Sequence, residues 1–447
     1  MASAAEQLAS NFNFGAFNKA TELKKRIWFT LGALVIYRLG TYIPLPGIDP
    51  QVIRDIFDQG AGGITDMMDL FTGGALGRMS IFALNIMPYI SAAIIMQLLQ
   101  STVPKFEAMK KEGEPGRKKL NQYTRYGTVF LATFQAYGLS VGVEGIASAS
   151  GAAVLTPGFF FRATTVISLV GGTIFLMWLG EQVTQRGVGN GISLIIFAGI
   201  VAELPSALVA TMDLGRRGVL SAPIIIGILV LAVVVITVIV FIERAQRRIV
   251  VQYPKRQVGQ KMFGGESSHI PLKVNTPGVI PPIFASSILL LPLSIFQFAG
   301  NAGPDWLNTM IAWLGRGQPG FIGLYILFIV FFTFFYTAIV FNPQETADNL
   351  RQHGGFVPGI RPGKNTAEYL DHVLTRLTVL GAIYLVIVCI IPEWLISQFN
   401  VPFYFGGTSL LIVVSVTMDT VGQVHSHMLA HQYEGLIKKS RLRGRRG

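Results

Sequence analysis

ITDMMDLFTGGALGRMSIFALNIMPYISAAIIMQLLQ, residues 64–100, places a short amphipathic segment directly before a long apolar one. Ile64, Met67, Met68 and Phe71 recur at i, i+3, i+4 and i+7, one apolar stripe along about two helical turns. Thr72-Gly73-Gly74 ends the stripe, because glycine frees the backbone of its φ restriction and marks a hinge or a C-cap. From Met79 the chain reads apolar for about 20 residues, interrupted by Asn85, Pro88, Tyr89, Ser91 and Gln97. A bilayer crossing takes about 20 apolar residues. The segment at 64–71 is too short to cross, so it belongs inside protein or against a water-filled cavity.

The composition also makes the bilayer the solvent. Of 447 residues, 51% are hydrophobic and 13% charged, against roughly a quarter charged in soluble domains. Cys389 is the single cysteine and lies in an apolar run, which leaves no basis for disulfide or thiol-pair chemistry. The run at 27–43 follows a polar start and precedes no small-residue cleavage pattern, so no cleavable signal peptide is expected. Membrane spans are expected near 27–43, 79–100, 123–142, 159–180, 188–209, 220–242, 278–299, 321–341, 373–391 and 403–424. An even number of spans returns both ends to one side. With 36 Lys and Arg against 24 Asp and Glu, the formal net charge is +12. The tails, the loops after even-numbered spans and their flanks hold 29 of the 36 basic residues, and the opposite loops hold seven. Basic residues collect on the cytoplasmic side, which puts both termini in the cytoplasm.

Two cytoplasmic connections exceed a turn. Loop 243–275 contains RRIVVQYPKRQVGQK and SSHIPLKVN around a Gly-rich centre at 263–266, which reads as a protruding hairpin. Loop 342–366 contains NPQETADNLRQHGGFVPGIRPGKN, read as an ordered, turn-rich loop with a basic tip. Long loops with turn chemistry tend to carry function. Arg256 and Lys261 in the first loop, and Arg361 and Lys364 in the second, are therefore the candidate docking charges. The tail at 425–447 ends in KKSRLRGRRG, read as a disordered anchor on anionic lipid; direct reading of nucleic acid is not expected.

The spans also narrow the chemistry. Arg38, Glu203 and Asp419 fall toward span ends, whereas ion-coupled pumps carry ionisable groups near the midplane. His425, His427 and His431 group at one end of the last span, with only His427 and His431 on one helix face. No metal site is expected there, and no Ser/His or Cys/His pair marks a membrane protease. A secondary transporter also uses broken helices and inverted repeats and is the competing reading. A polytopic membrane enzyme comes third.

Five stretches then carry a resemblance. IFALNIMPYISAAIIMQLL, WLGEQVTQRGVGNGISLIIFAGI, PLKVNTPGVIPPIFASS, FNPQETADNLRQHGGFVPGIRPG and VPFYFGGTSLLIVV follow one another in the order of the SecY family. These are the channel subunits of the bacterial Sec protein translocase. The likeness runs from the first span to the last, and thins at the N-terminal 20 residues, near 144–158 and 300–318, and in the basic tail.

The resemblance implies an all-α membrane protein of ten transmembrane helices around an hourglass pore. It implies two inverted pseudo-symmetric halves, 27–209 and 220–424, after a cytoplasmic N-tail at 1–26. A lateral gate would lie between spans two and three and spans seven and eight. Residues 64–71 would be the plug, with Ile64, Met67, Met68 and Phe71 facing the pore. The family's apolar waist corresponds to Ile86, Ile90, Ile192, Ile196, Ile283 and Ile412. Gln97, Gln135 and Asn275 match a polar cluster that bridges the closed gate, or are satisfied locally on separate helices.

By the same resemblance the protein is no enzyme and needs no cofactor. It conducts unfolded secretory polypeptides across the cytoplasmic (inner) membrane and releases apolar segments of membrane proteins sideways. SecE and SecG would be partner subunits, and the SecA ATPase or a translating ribosome would dock on the loops. Two departures stand out. Asn85 sits beside the waist where many members carry glycine, and Gln260-Lys261 replaces a pair of basic residues in the first loop.

Overall fold

The computed structural model describes residues 21–49, 51–53, 69, 71–144, 147–148, 151–218, 221–253, 256–258, 261–263, 267–298, 313, 318–399 and 407–443. Ten long helices organise them. In the first half these are α1 (Thr21–Gly40), α2 (Met87–Thr102), α4 (Glu114–Glu144), α5 (Phe159–Arg186) and α6 (Gly191–Arg216). In the second they are α7 (Ala222–Arg244), α8 (Ile280–Phe298), α9 (Pro319–Val340), α11 (Lys364–Phe399) and α12 (Gly407–Arg443). The short helices α3 (Pro104–Lys111) and α10 (Pro343–Gln352) lie in connections. Helix starts follow local chemistry. Asn190 and Asn342 cap α6 and α10 with their side-chain oxygens, and proline opens α2, α7, α9 and α10, where its missing N–H is no loss.

Among the described residues, six stretches are long and apolar enough to cross a membrane: Phe159–Arg186, Gly191–Arg216, Pro223–Arg244, Pro319–Gln352, Lys364–Pro392 and Gly407–Met428. The other long helices pack beside them. Helix α1 carries Lys24, Lys25, Arg26 and Arg38, and α4 begins among charged residues. In Pro223–Arg244 only 11% of the apolar window is buried, and Ile226, Val230, Val233 and Phe241 stand exposed. Such a surface calls for lipid or another apolar protein surface against it. Helical threonines such as Thr128 and Thr333 return their hydroxyls to their own backbone, at Thr124 O and Ile329 O, which satisfies those buried donors within the helix.

The halves share one packing plan. In the first, α2 packs on α4, α4 on α5 and α5 on α6; in the second, α8 packs on α9, α9 on α11 and α11 on α12. Each half has its own apolar core, one around Leu139 and Leu169 and the other around Ile239 and Leu385. A third core, holding Phe71, Ile86, Ile196, Phe284, Phe332 and Ile412, joins the two. Helix α8 closes against α2 and α4, and α6 meets α7 and α12.

Four expectations need correction. The span expected at 79–100 is a 16-residue helix, Met87–Thr102, about 24 Å long at 1.5 Å per residue. It is preceded by a folded-back run of turns at 73–86, apart from a bridge residue at Ser80. Met79 and Asn85 have positive φ, 43° and 48°, and a Pro44–Ser80 bridge fixes the run. It is tolerated at membrane depth because Met79, Ala83 and Leu84 are buried in protein. Loop 342–366 is not all turns, since α10 occupies Pro343–Gln352 behind its Asn342 cap. The tail is helical through Arg443, because 436–443 contains no Gly or Pro to stop α12. Glu203 lies midway along α6, not near its end, because that helix runs on past Pro205 to Arg216.

The loop at 243–275 forms the expected hairpin. Strand β3 (Gln246–Gln252) pairs antiparallel with β6 (Ser267–Lys273), and β4 (Arg256–Val258) pairs with β5 (Lys261–Phe263) nearer the tip. A further two-stranded pair, β1 (Ala147–Ser148) with β2 (Gly151–Ala152), follows α4.

Candidate functional site

The central core narrows to a waist. Ile86 ends the turn before α2, and Ile90 occupies that helix's first turn. Ile196 comes from α6, Ile283 from the first turn of α8 and Ile412 from the start of α12. These five isoleucines line one cavity with Phe71, Asn85, Met87 and Ser286. Its volume is about 10 Å³, room for about one water. Branched side chains are stiff at χ1, so the constriction does not relax into a wider, wetter one at low cost. Ile192, one turn earlier on α6, packs against the same core without lining the cavity. Its Cγ1 would lie 3.1 Å from a Cβ added at Gly180, which places it against α5.

Of the four expected plug residues, Phe71 is described; Ile64, Met67 and Met68 lie outside the described residues. Phe71 is 4% exposed and faces the cavity. Gly73 and Gly74 adopt positive φ, 67° and 77°, the left-handed geometry of a helix C-terminus. Asn85 explains its own departure from glycine. Its φ of 48° is a region that asparagine tolerates better than other non-glycine residues, and its Nδ2 donates to Phe71 O.

Sequence reasoning missed Tyr37, Asp69 and Arg78, which gather beside Phe71 with Arg38 and Glu203. The available signal was two ionisable residues, Asp69 inside the short segment expected at membrane depth and Arg78 just before the apolar run from Met79.

The expected gate residues Gln97 and Gln135 lie on α2 and α4, and Asn275 lies just before α8. Asn275 is 1% exposed and donates to Glu243 Oε1 at 2.6 Å and Gly278 O at 3.1 Å. Among the described residues no hydrogen bond joins it to Gln97 or Gln135. The turn at Gly278 and the end of α7 supply acceptors to its Nδ2, whereas its Oδ1 is buried without a hydrogen-bond partner. Gln97 is half-buried, and its Oε1 is buried without a hydrogen-bond partner. Asn275→Leu is expected to leave the Glu243 oxygen unsatisfied at a cost of about 1–3 kcal/mol. Gln97→Leu removes an oxygen that has no partner and is expected to be neutral or stabilising. Thermal unfolding of both variants in detergent checks the contrast; an equal loss in both contradicts it.

The two long loops dock on each other. Gln252 and Phe356 exchange backbone hydrogen bonds of 2.9 and 3.0 Å, above a small core of Ile249, Leu272, Val357, Leu370, Val373 and Leu377. Arg361 is exposed beyond this platform, on a turn between Pro358 and Pro362. Thr366 Oγ1 donates to Arg361 O at 3.0 Å, which fixes the turn's backbone. Lys364 is exposed at the start of α11 and sits 3.9 Å from Glu368. Arg256 and Lys261 belong to the β4–β5 pair, and their side chains lie outside the described set.

The SecY family model matches residues 80–421. The chain is 53% identical over 422 residues to the protein translocase subunit SecY of Rickettsia conorii, covering 94% of this chain and 97% of the relative. It is 54% identical over 424 residues to that of Escherichia coli strain K12, covering 95% and 96%. Among solved structures it resembles one described as "The structure of a protein conducting channel", with TM-score 0.64 and 18% identity over 91% of this chain and 92% of the other. A second, whose description concerns a SecY plug domain that maintains a membrane seal, gives TM-score 0.62 at 20% identity, again over 91% and 92%. A third is "Sec61 in the Canine ribosome-channel complex from the endoplasmic reticulum", TM-score 0.59 at 19% identity over 91% and 92%.

Proposed function

Because the chain belongs to the SecY family, we propose that Ile86, Ile90, Ile196, Ile283 and Ile412 seal a protein-conducting channel at rest. As a translocase subunit the protein passes unfolded polypeptide across the membrane and releases apolar segments laterally, and it is not itself an enzyme. One observation carries the assignment of the seal. Five isoleucines from α2, α6, α8, α12 and the turn before α2 converge on a cavity of about 10 Å³, with Phe71 among its lining residues. An apolar ring excludes water when narrow and offers a passing chain no specific binding. Ile192 belongs to the same ring one turn away on α6. Residues 64–71, with Ile64, Met67 and Met68 beside Phe71, act as the plug.

The remaining assignments follow from the same reading. The protein sits in the bacterial inner membrane with both termini and both long loops in the cytoplasm, as the distribution of basic residues supports. SecE and SecG are its partner subunits. The SecA ATPase or a translating ribosome docks on Arg256, Lys261, Arg361 and Lys364, and anionic lipid attracts the basic tail. Parting of α8 and α9 from α2 and α4 opens the route into lipid.

A photo-crosslinking residue tests the path. With a secretory polypeptide stalled in transit, probes at positions 90 and 283 are expected to label it. A probe at position 233, on the exposed face of α7, is expected not to. Equal labelling from all three positions, or none from the waist, contradicts the reading.

A further inference from the structure

Three successive carbonyls at the end of the turn carrying Phe71 each receive a donor from elsewhere in the chain. Phe71 O accepts from Asn85 Nδ2. Thr72 O accepts from Tyr37 Oη at 3.1 Å. Gly73 O accepts from both Arg38 Nη1 at 2.8 Å and Arg78 Nη2 at 2.7 Å. The final carbonyls of helical backbone have no partner within the helix, and cations are favoured beside them. Here two guanidinium groups, a phenol and an amide supply what the backbone lacks.

The other contacts remove slack from the same segment. Asp69 Oδ1 accepts from Gly77 N at 2.8 Å and from Thr72 Oγ1 at 3.0 Å, which ties the turn to the chain that follows it. A Cβ at Gly73 would approach Gly199 Cα of α6 to 2.8 Å. Positive φ and this close backbone contact both require glycine at 73. The Gly73-Gly74 pair is therefore held in place in this state and is no free joint. Arg78 also stacks over Tyr42, 4.4 Å from the ring centre, within the range of a cation–π contact.

Two oxygens lie near Arg78 Nη2, and distance ranks them. Its Nη2 lies 2.7 Å from Gly73 O and 3.8 Å from Glu203 Oε1. The first is a short, charge-assisted hydrogen bond; the second is too long for one. Glu203 Oε2 already accepts from Ser206 Oγ at 3.0 Å.

We propose that Arg38 and Arg78, with Tyr37 and Asn85, are positioning residues that hold Phe71 at the waist by capping carbonyls 71–73. Glu203 balances their charge and is not the holding contact. The function assigned to this clamp rests on reading the waist as the ion seal. Its geometry makes a prediction that does not.

The test uses the intact channel complex, with hydrogen–deuterium exchange and planar-bilayer recording in parallel. The double variant Arg38→Met/Arg78→Met keeps apolar length and removes both donors. Amides at 71–77 are expected to exchange at least about tenfold faster, the effect of losing a hydrogen bond to a charged group, and resting conductance is expected to rise. Arg78→Lys retains a donor and should restore slow exchange in the Arg38 wild-type background. Glu203→Gln, which leaves every donor to carbonyls 71–73 in place, should speed exchange of these amides far less than the double variant does. Tyr37→Phe, a single hydroxyl deletion, gives a milder version should the double variant fail to fold, with faster exchange confined to the same amides. Unchanged exchange in the donor-deletion variants overturns the proposal, as does a Glu203→Gln variant that exchanges and leaks like the double variant. Faster exchange without a leak, in a channel that does leak when the isoleucine ring is made polar, overturns the positioning role alone. A polar ring that stays ion-tight sinks the seal reading instead, and exchange then still decides whether the carbonyls are capped.

Discussion

Arg361→Glu is expected to reduce ATP-driven translocation by about 100-fold or more, leaving abundance and membrane insertion of the channel near wild type. An exposed charge contributes about 1 kcal/mol or less to a fold, and Arg361 is exposed on its turn. Reversal of a docked charge is more costly, because like charges meeting across an interface oppose binding by several kcal/mol. The surroundings add to this. The Gln252–Phe356 bridge, buried Val357 and the hydrogen bond from Thr366 hold the backbone under Arg361, so little backbone ordering is left to do on binding. In vitro translocation with the purified motor ATPase, scored beside channel abundance, checks the prediction. Normal translocation by the variant makes Arg361 an ordinary topogenic charge.

The fold was legible wherever the signal is local. Hydropathy marks the spans, because lipid imposes one length and one polarity on a crossing helix. The β-prone runs around the Gly-rich centre mark the hairpin that β3 and β6 form. Irregular backbone was not legible. The apolar run from Met79 reads as helix by composition, yet the chain turns until Met87 because Met79 and Asn85 take positive φ and their neighbours pack into protein. Helix α10 was hidden in a stretch rich in turn residues, although its Asn342-Pro343 start is a recognisable cap.

The site divides in the same way. Isoleucine in a membrane helix is ordinary packing in any single case, and family resemblance alone selected six of them. Five share a cavity and Ile192 stands one turn off. The long-range polar contacts were beyond sequence reasoning, because they join residues far apart in the chain. Tyr37 reaches Thr72 across 35 positions and Asn275 reaches Glu243 across 32. Glu203 looked terminal only because α6 continues past Pro205 to Arg216.

The second large effect concerns the waist. A resting channel must hold back ions and still admit an extended polypeptide, so fixed charge is a poor seal: it favours one sign of ion and binds passing side chains. Isoleucine avoids both faults, because water leaves a narrow apolar ring and an ion must then shed its hydration. The cavity between Ile86, Ile90, Ile196, Ile283 and Ile412 holds about 10 Å³, and its polar lining is confined to Asn85 and Ser286. Changing Ile86, Ile90 and Ile283 to Asn together places three further polar groups on it, and each recruits water. Removing residues 64–71 alone takes away Phe71 and leaves the ring, so that channel is expected to translocate protein and to flicker between leaky and sealed. The decisive measurement is resting ion conductance in planar bilayers of the triple Asn variant with residues 64–71 intact. Steady conductance well above wild type is the predicted result; a triple variant as ion-tight as wild type contradicts the isoleucine waist as the seal.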